Sequence, residues 1–193
     1  MKYVSKAVAA VSSMAILMPL FATGLSAQRA ISTDDMRAFQ PRSIGPAVTG
    51  GRVHDIEAIP SDPSTIYVAA ASGGLWKTTN RGMTWTNVFD TMAVSTFGDV
   101  ALAPSNPDIV YAGTGEQNNR QSTSYGNGIY RSNDGGTSWA HLGLSETRHI
   151  GKVEVHPTNP DVAYVAALGN LWAASPDRGV YKTTNGGGSW DKV

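Results

Sequence analysis

The 193 residues contain no cysteine. Disulfides, thiolate metal sites, a cysteine nucleophile and a lipid-bearing cysteine behind a leader are all excluded, so packing alone must hold the fold. Net charge is missing as well, because 15 basic and 15 acidic side chains cancel. Nothing in that balance attracts nucleic acid. Long apolar runs are scarce. The run from Ala7 to Phe21 follows Lys2 and Lys6 and ends in the small residues "LSA" before Gln28. It is shorter than the ~20 apolar residues of a spanning helix and reads as a secretory signal, cleaved about Ala27–Gln28. The remaining chain, with a net charge of about −2, is expected to be secreted, periplasmic or at the cell surface, with no membrane insertion once mature.

Several chemistries lack their motifs. His54, His141, His149 and His156 show no metal-ligand spacing, and no acidic calcium loop is present. His156 falls at a repeat position filled by Ile59 and Ala103, which predicts a packed strand residue. "GTGEQNN" lacks the third glycine and following helix of a dinucleotide site, and no Gly-x-Ser-x-Gly elbow occurs. Neither a metal nor a cofactor is expected.

What the chain does have is glycine, proline and a repeat, with 21 Gly and 10 Pro. "HDIEAIPSDPSTIYVAA" from His54, "GDVALAPSNPDIVYAGT" from Gly98 and "GKVEVHPTNPDVAYVAA" from Gly151 align without gaps. Period-two apolar alternation on both sides of a Pro/Asn/Asp/Ser cluster predicts strand, turn and strand. A second strand–turn–strand follows each: "GLWKTTNRGMTW", "GIYRSNDGGTSW" and "GVYKTTNGGGSW". Four strands recurring at intervals of about 50 residues predict an all-β fold of propeller blades, with a solenoid or β-sandwich as runner-up. The expected organisation is a signal at 1–27, a lead-in segment at 28–52 and a partial β-propeller at 53–193, with blades at about 53–96, 97–149 and 150–193.

The turn "SNDGGTSW" holds an acid, an amide and hydroxyls close together, which suits either chemistry or a fold-back. Asp134 can accept N–H bonds inside its own turn, Gly135 and Gly136 can take positive φ, and Ser132 and Ser138 can tie the ends. Asn80 and Asn185 replace Asp134 in the other copies. Asn makes the same turn but is a poor acid or base, so the reading is structural. The residues concerned are Thr78, Asn80, Gly82, Thr84 and Trp85; Ser132, Asp134, Gly136, Ser138 and Trp139; and Thr183, Asn185, Gly187, Ser189 and Trp190.

This S/T-x-D/N-x-G-x-S/T-W pattern resembles the Asp-box, or BNR repeat, of sialidases, two-propeller xyloglucan hydrolases and sortilin propellers. The blocks "RSIGPAVTGGRVHDI", "AAASGGLWKTTNRG" and "GTGEQNNRQSTSYGNGIYRSNDGG" are similar to large secreted bacterial proteins described as sortilin-like or as glycosyl hydrolases. The resemblance runs from about Phe39 to Val193. It implies a propeller that recognises peptide, protein or glycan, with glycoside hydrolysis as the alternative. In the xyloglucan hydrolases an acid precedes the Gly-Gly of the first blade, where this chain has Ala71. "FQPRSIGP" lacks the Arg-Ile-Pro start of sialidases.

Strand parity predicts which face carries ligands. In an antiparallel blade the turns joining strands one to two and three to four share a face, and the loops joining two to three share the other. The stretches Tyr111 to Gly128 and Tyr164 to Gly179 are each more than twice as long as Tyr67 to Gly74. Long polar loops on a rigid scaffold tend to bind. Candidates are Glu116, Asn118, Asn119, Arg120, Gln121 and Tyr125, with Arg42, Arg52, His54, Asp55, Asp99, Lys152, Trp172 and Arg178 expected near the same rim. Glu116 is the one candidate for a catalytic acid. The bland alternative is that Asn118 and Asn119 cap their own turns and Arg120 pairs with Glu116. Propellers close with about 4–8 blades, so the three repeats are expected to be completed by blades from a carboxy-terminal part of a longer protein.

Overall fold

A computed structural model of the chain describes Ser32, Asp34 and residues 51–193. The signal and Arg42 lie outside the described residues. The fold is all-β, built of three four-stranded antiparallel sheets. The first is β1 (Val53–Ile59), β2 (Asp62–Ala70), β3 (Gly74–Thr78) and β4 (Thr86–Asn87). The second is β5 (Phe97–Ala103), β6 (Asn106–Thr114), β7 (Ile129–Ser132) and β8 (Ala140–His141). The third is β9 (Ile150–Val155), β10 (Ala163–Ala167), β11 (Gly179–Thr183) and β12 (Asp191–Lys192). Each sheet keeps its strands in chain order, as propeller blades do. β5 lies between β1 and β9, so the first strands of the three blades are neighbours.

Alternation along each strand assigns its side chains to one neighbour or the other. Val110 and Ala112 of β6 join Tyr67, Ala69, Leu75, Phe89, Phe97, Val100 and Tyr130 in a core between blades 1 and 2. Ile109 and Tyr111 of the same strand join Ile129, Ile150, Val153 and Val165 in a core between blades 2 and 3. Among the described residues only the middle blade is covered on both sides. Ile56 of β1 and Val180 of β11, on the flanking blades, are 60% and 42% exposed.

The three tryptophan-ending turns are built alike. Thr78, Ser132 or Thr183 hydrogen-bonds through its hydroxyl to Asn80, Asp134 or Asn185, two residues on. That side chain then accepts the backbone N–H of Thr84, Ser138 or Ser189 at 2.9, 2.8 and 3.0 Å. The starting hydroxyl also accepts the N–H of Gly82, Gly136 or Gly187. Gly136 and Gly187 have φ of +88° and +93°, which costs glycine no steric strain. In each blade this turn also donates a backbone N–H to the segment just past the turn between the first two strands: Arg81 to Ser64 and Gly135 to Asp108, each the third residue of its second strand, and Gly186 to Asp161, just before β10. The two turns therefore share one face.

The tryptophans reach further than their own hairpins. The indole N–H of Trp139 donates to the Val88 carbonyl of blade 1 at 2.8 Å, and that of Trp190 to the Leu142 carbonyl of blade 2 at 2.9 Å. Phe89 packs edge-on against Phe97, Tyr130 and Trp139 with ring centroids 4.9–5.0 Å apart. His156 departs from its expected place in a packed strand. It is exposed and its Nδ1 accepts the N–H groups of Thr158 and Asn159, because β9 ends at Val155 and the ring caps the following turn.

Two predictions follow from these turns. Trp139→Phe and Trp190→Phe each lose a cross-blade hydrogen bond and are expected to cost about 1–2 kcal/mol, whereas Trp85→Phe stays within about 0.5 kcal/mol, as read by urea denaturation. The Ser138 and Ser132 hydrogen bonds hold the Asp134 carboxyl down at about 2. A depressed folded-state value gives stability that is complete above the unfolded value near 4 and is lost as pH falls toward about 2. Asp134→Asn should fold normally, as Asn80 and Asn185 do, and lack that acid-dependent loss.

Candidate functional site

The loop from β6 to β7 is anchored at its base by Glu116. Although charged, Glu116 is only 1% exposed. Its Oε1 accepts the Arg52 guanidinium at 3.0 Å and its Oε2 accepts the Ser124 N–H at 3.0 Å. A backbone bond from the Glu116 N–H to the Ser124 carbonyl closes the loop on itself. Glu116 is thus paired with Arg52, from the segment before β1, and not with Arg120 of its own loop. Arg120 uses its backbone, donating its N–H to the Thr123 hydroxyl, which in turn donates to the Asn118 and Arg120 carbonyls.

His54 joins the same group. Its Nδ1 lies 2.7 Å from the Phe97 carbonyl, and its Nε2 lies 3.3 Å from the Asn118 side-chain nitrogen. The loop is pinned at its far end by the Thr96 hydroxyl, which donates to the Tyr125 carbonyl at 2.8 Å. The half-exposed Tyr125 ring lies under the Arg148 guanidinium at 5.1 Å and edge-on to His149 at 5.3 Å. The structure therefore brings together Arg52, His54, Glu116, Asn118 and Tyr125. Asn119, Arg120 and Gln121 are exposed at the tip of the same loop.

Asp55, Asp99 and Lys152 occupy one repeat position on the first strands, and all three take part in bonds between blades. Asp55 accepts the Val100 N–H at 3.2 Å, and Asp99 accepts the Val153 N–H at 2.7 Å and the Lys152 ammonium at 3.2 Å. Burial, with the Asp55 carboxylate adding to it, pushes the Asp99 carboxyl up to about 7 against these hydrogen bonds. Burial works to lower Lys152, but the carboxylates of Asp99 and Asp55 outweigh it and hold the ammonium above its ordinary value. Trp172 and Arg178 belong to the β10–β11 loop. Trp172 is 54% exposed, while Arg178 donates to the Leu168 and Asn170 carbonyls of its own loop.

His149 and Arg148 were not among the candidates. His149 is fully buried, and both ring nitrogens lack a hydrogen-bond partner. Burial holds its imidazole below the ordinary value, with the Glu116 carboxylate pulling the other way. The signal that could have found it is the repeat carried back a few residues, where Arg52, Thr96 and His149 align ahead of β1, β5 and β9. Their carbonyls accept the N–H groups of Ala71, Gly115 and Leu168, which follow each second strand.

The chemistry of this rim is that of holding. Both Glu116 oxygens act as acceptors within the protein, and Ala71, buried at 1% exposure, offers a methyl group where the resemblance implies an acid. The residues that do reach solvent carry amides, a guanidinium and an aromatic ring.

The sheets define a β-propeller chain, and comparison with known proteins says which propellers it is similar to. No protein-family model matches it. A xyloglucanase from Hypocrea jecorina is 29% identical over 170 residues, 81% of this chain and 19% of that protein. The chain spans about a fifth of the length of the curated relatives it matches. Among solved structures, an ancestral GH74 enzyme superposes with a TM-score of 0.59 at 24% identity, covering 74% of this chain and 18% of that one. YCF48 bound to D1 peptide superposes with a TM-score of 0.52 at 17% identity, covering 75% and 41%. These structural likenesses establish the propeller fold.

Glu116→Ala leaves the Arg52 guanidinium and the Ser124 N–H unpartnered at the loop base. Because Arg52 is partly exposed, the expected cost is about 1–3 kcal/mol by denaturation, with faster amide exchange at Ser124.

Proposed function

We propose that the chain is part of an extracellular Asp-box propeller whose β2–β3-type loop face engages a β-linked polysaccharide. The observation that carries this reading is the Glu116–Tyr125 loop, fixed at its base by the pairing of buried Glu116 with the partly exposed Arg52 and presenting Asn118, Asn119, Arg120, Gln121 and Tyr125. Amides and a guanidinium suit the hydroxyls of a sugar chain, and a tyrosine ring suits its C–H faces. The similarity to xyloglucanases supports a glucan as the class of ligand.

Hydrolysis of the same polysaccharide is the second reading, and the xyloglucanase relatives favour it at least as much as binding. It needs two carboxylates on either side of the scissile bond, about 5–9.5 Å apart. Ala71 and the fully engaged Glu116 argue that residues 51–193 contribute recognition to such an enzyme and not its proton transfer. A peptide ligand, as in sortilin-type propellers, is the class that YCF48 with its bound peptide would support.

Titration with xyloglucan oligosaccharides, followed by product analysis, separates these readings. Saturable binding that falls at least tenfold in an Asn118→Ala, Tyr125→Ala double variant supports the proposal. Released oligosaccharides that persist in Glu116→Gln would place the cleaving acids elsewhere in an active hydrolase. Loss of cleavage in Glu116→Gln with binding retained would make Glu116 catalytic and overturn the holding role. Absence of glycan binding, with capture of peptides from a library, would move the ligand class to peptide.

A further inference from the structure

The opposite face carries a cavity of about 420 Å³ between the tryptophan-ending turns of blades 1 and 2, within the usual size of about 300–1,000 Å³ for small-molecule sites. Its walls include Lys77, Thr84, Thr86, Asn87, Asp90 and Thr137. With Thr79 and Thr91, five hydroxyls, a carboxamide, one carboxylate and one ammonium form a lining rich in hydrogen-bonding groups of both kinds. The ammonium donates one of its N–H groups to the Gly135 carbonyl at 2.8 Å, and its charge is matched by the one carboxylate of the same wall, so the lining has no net charge to select an anion.

The next blade interface is an internal control. The equivalents of Lys77 and Val88 there are Arg131 and Leu142. Arg131 pairs with Asp161 at 2.9 Å and donates to the Gly186 carbonyl at 3.1 Å, and Leu142 sits directly against Gly187. The larger side chains occupy the groove between blades 2 and 3. Between blades 1 and 2 the smaller Val88 stands back far enough that even a methyl group added at Gly136 would meet it only at ordinary van der Waals distance, and the space is left to polar walls.

We infer that this cavity is a carbohydrate site, taking a neutral mono- or disaccharide unit through the hydroxyls of Thr79, Thr86 and Thr91 and the carboxylate of Asp90, with the Thr84 hydroxyl, which accepts from Asn80, free to donate and the Thr137 hydroxyl, which donates to the Asp134 carbonyl, free to accept. A neutral polyol matches a wall that offers both donors and acceptors and carries one charge of each sign. The site lies on the face of the β3–β4 turns, away from the Glu116 loop, so it stands or falls separately from the proposed function. It gives the blades a second contact for a glycan, and two linked weak contacts raise avidity without any change at the rim.

The test is a titration of the full chain with cellobiose and with galactose, observed by amide chemical shifts. The expected result is saturable shifts at Thr84, Thr86, Asn87 and Thr137 for at least one sugar. Val88→Leu, which copies Leu142, should weaken that binding at least tenfold while leaving the remaining amide spectrum unchanged. Thr86→Val, with nearly the same shape and no hydroxyl, should weaken it severalfold, and Glu146→Ala, in the exposed connection between β8 and β9, should leave it alone. No shifts at these residues with either sugar, or binding indifferent to both Val88→Leu and Thr86→Val, would overturn the assignment.

Discussion

The structure depends on hydrogen bonds that cross from one blade to the next. A blade is too thin to bury its own faces, so each contact with a neighbour must supply both apolar area and satisfied polar groups. The two contacts do so at three levels. Nearest the first strands, Asp55 and Asp99 accept the N–H groups of Val100 and Val153. In the middle, the hydroxyls of Tyr67 and Tyr111 donate to the carbonyls of Gly135 and Pro160. At the outer strands the indoles of Trp139 and Trp190 donate backward to Val88 and Leu142. Each side chain belongs to the repeat, so the repeat encodes the contact as well as the blade.

That economy explains why some candidate residues carry two meanings. Asp55 and Asp99 stand near the rim, as any ligand-binding acid would, yet their acceptors are spent on the adjacent strand. The same reasoning applies to Glu116, whose burial is tolerable because Arg52 and the Ser124 N–H satisfy it. The side chains that the scaffold does not need are left at the surface: the exposed amides, Arg120 and Tyr125 of a loop held at both ends.

Much of the blade was legible because its signals are local. Alternation around Tyr67, Tyr111 and Tyr164 specifies strands whose odd and even residues face different neighbours. The hydroxyl–amide–glycine order of each turn specifies its bonds. The partner of Glu116 was not legible, since Arg52 lies 64 residues away and reaches it only after blades 1 and 2 have packed. His149 was hidden for the same reason. Spacing marks it only as one of four histidines without a metal-ligand pattern, while the Tyr125 ring that packs against it comes from a loop more than twenty residues away. His156 misled in the other direction, because its repeat position is apolar elsewhere and the strand stops one residue short of it.

The unequal blade contacts show how a repeat acquires individuality without losing its fold. Substituting Val88 for the leucine of the next copy removes little of the apolar area, because Phe89 supplies the aromatic contacts with Phe97, Tyr130 and Trp139 just beneath. Substituting Lys77 for Arg131 keeps the bond to the neighbouring turn, to Gly135 in place of Gly186, while leaving a smaller head group in the groove. Both positions keep a cross-blade hydrogen bond, Lys77 to the Gly135 carbonyl and the Val88 carbonyl from Trp139, and leave more space beside it. Variation is therefore admitted where the cross-blade bonds are already satisfied, in the loops of one face and in the grooves of the other, and those are the places where a propeller built of near-identical blades can differ in what it binds.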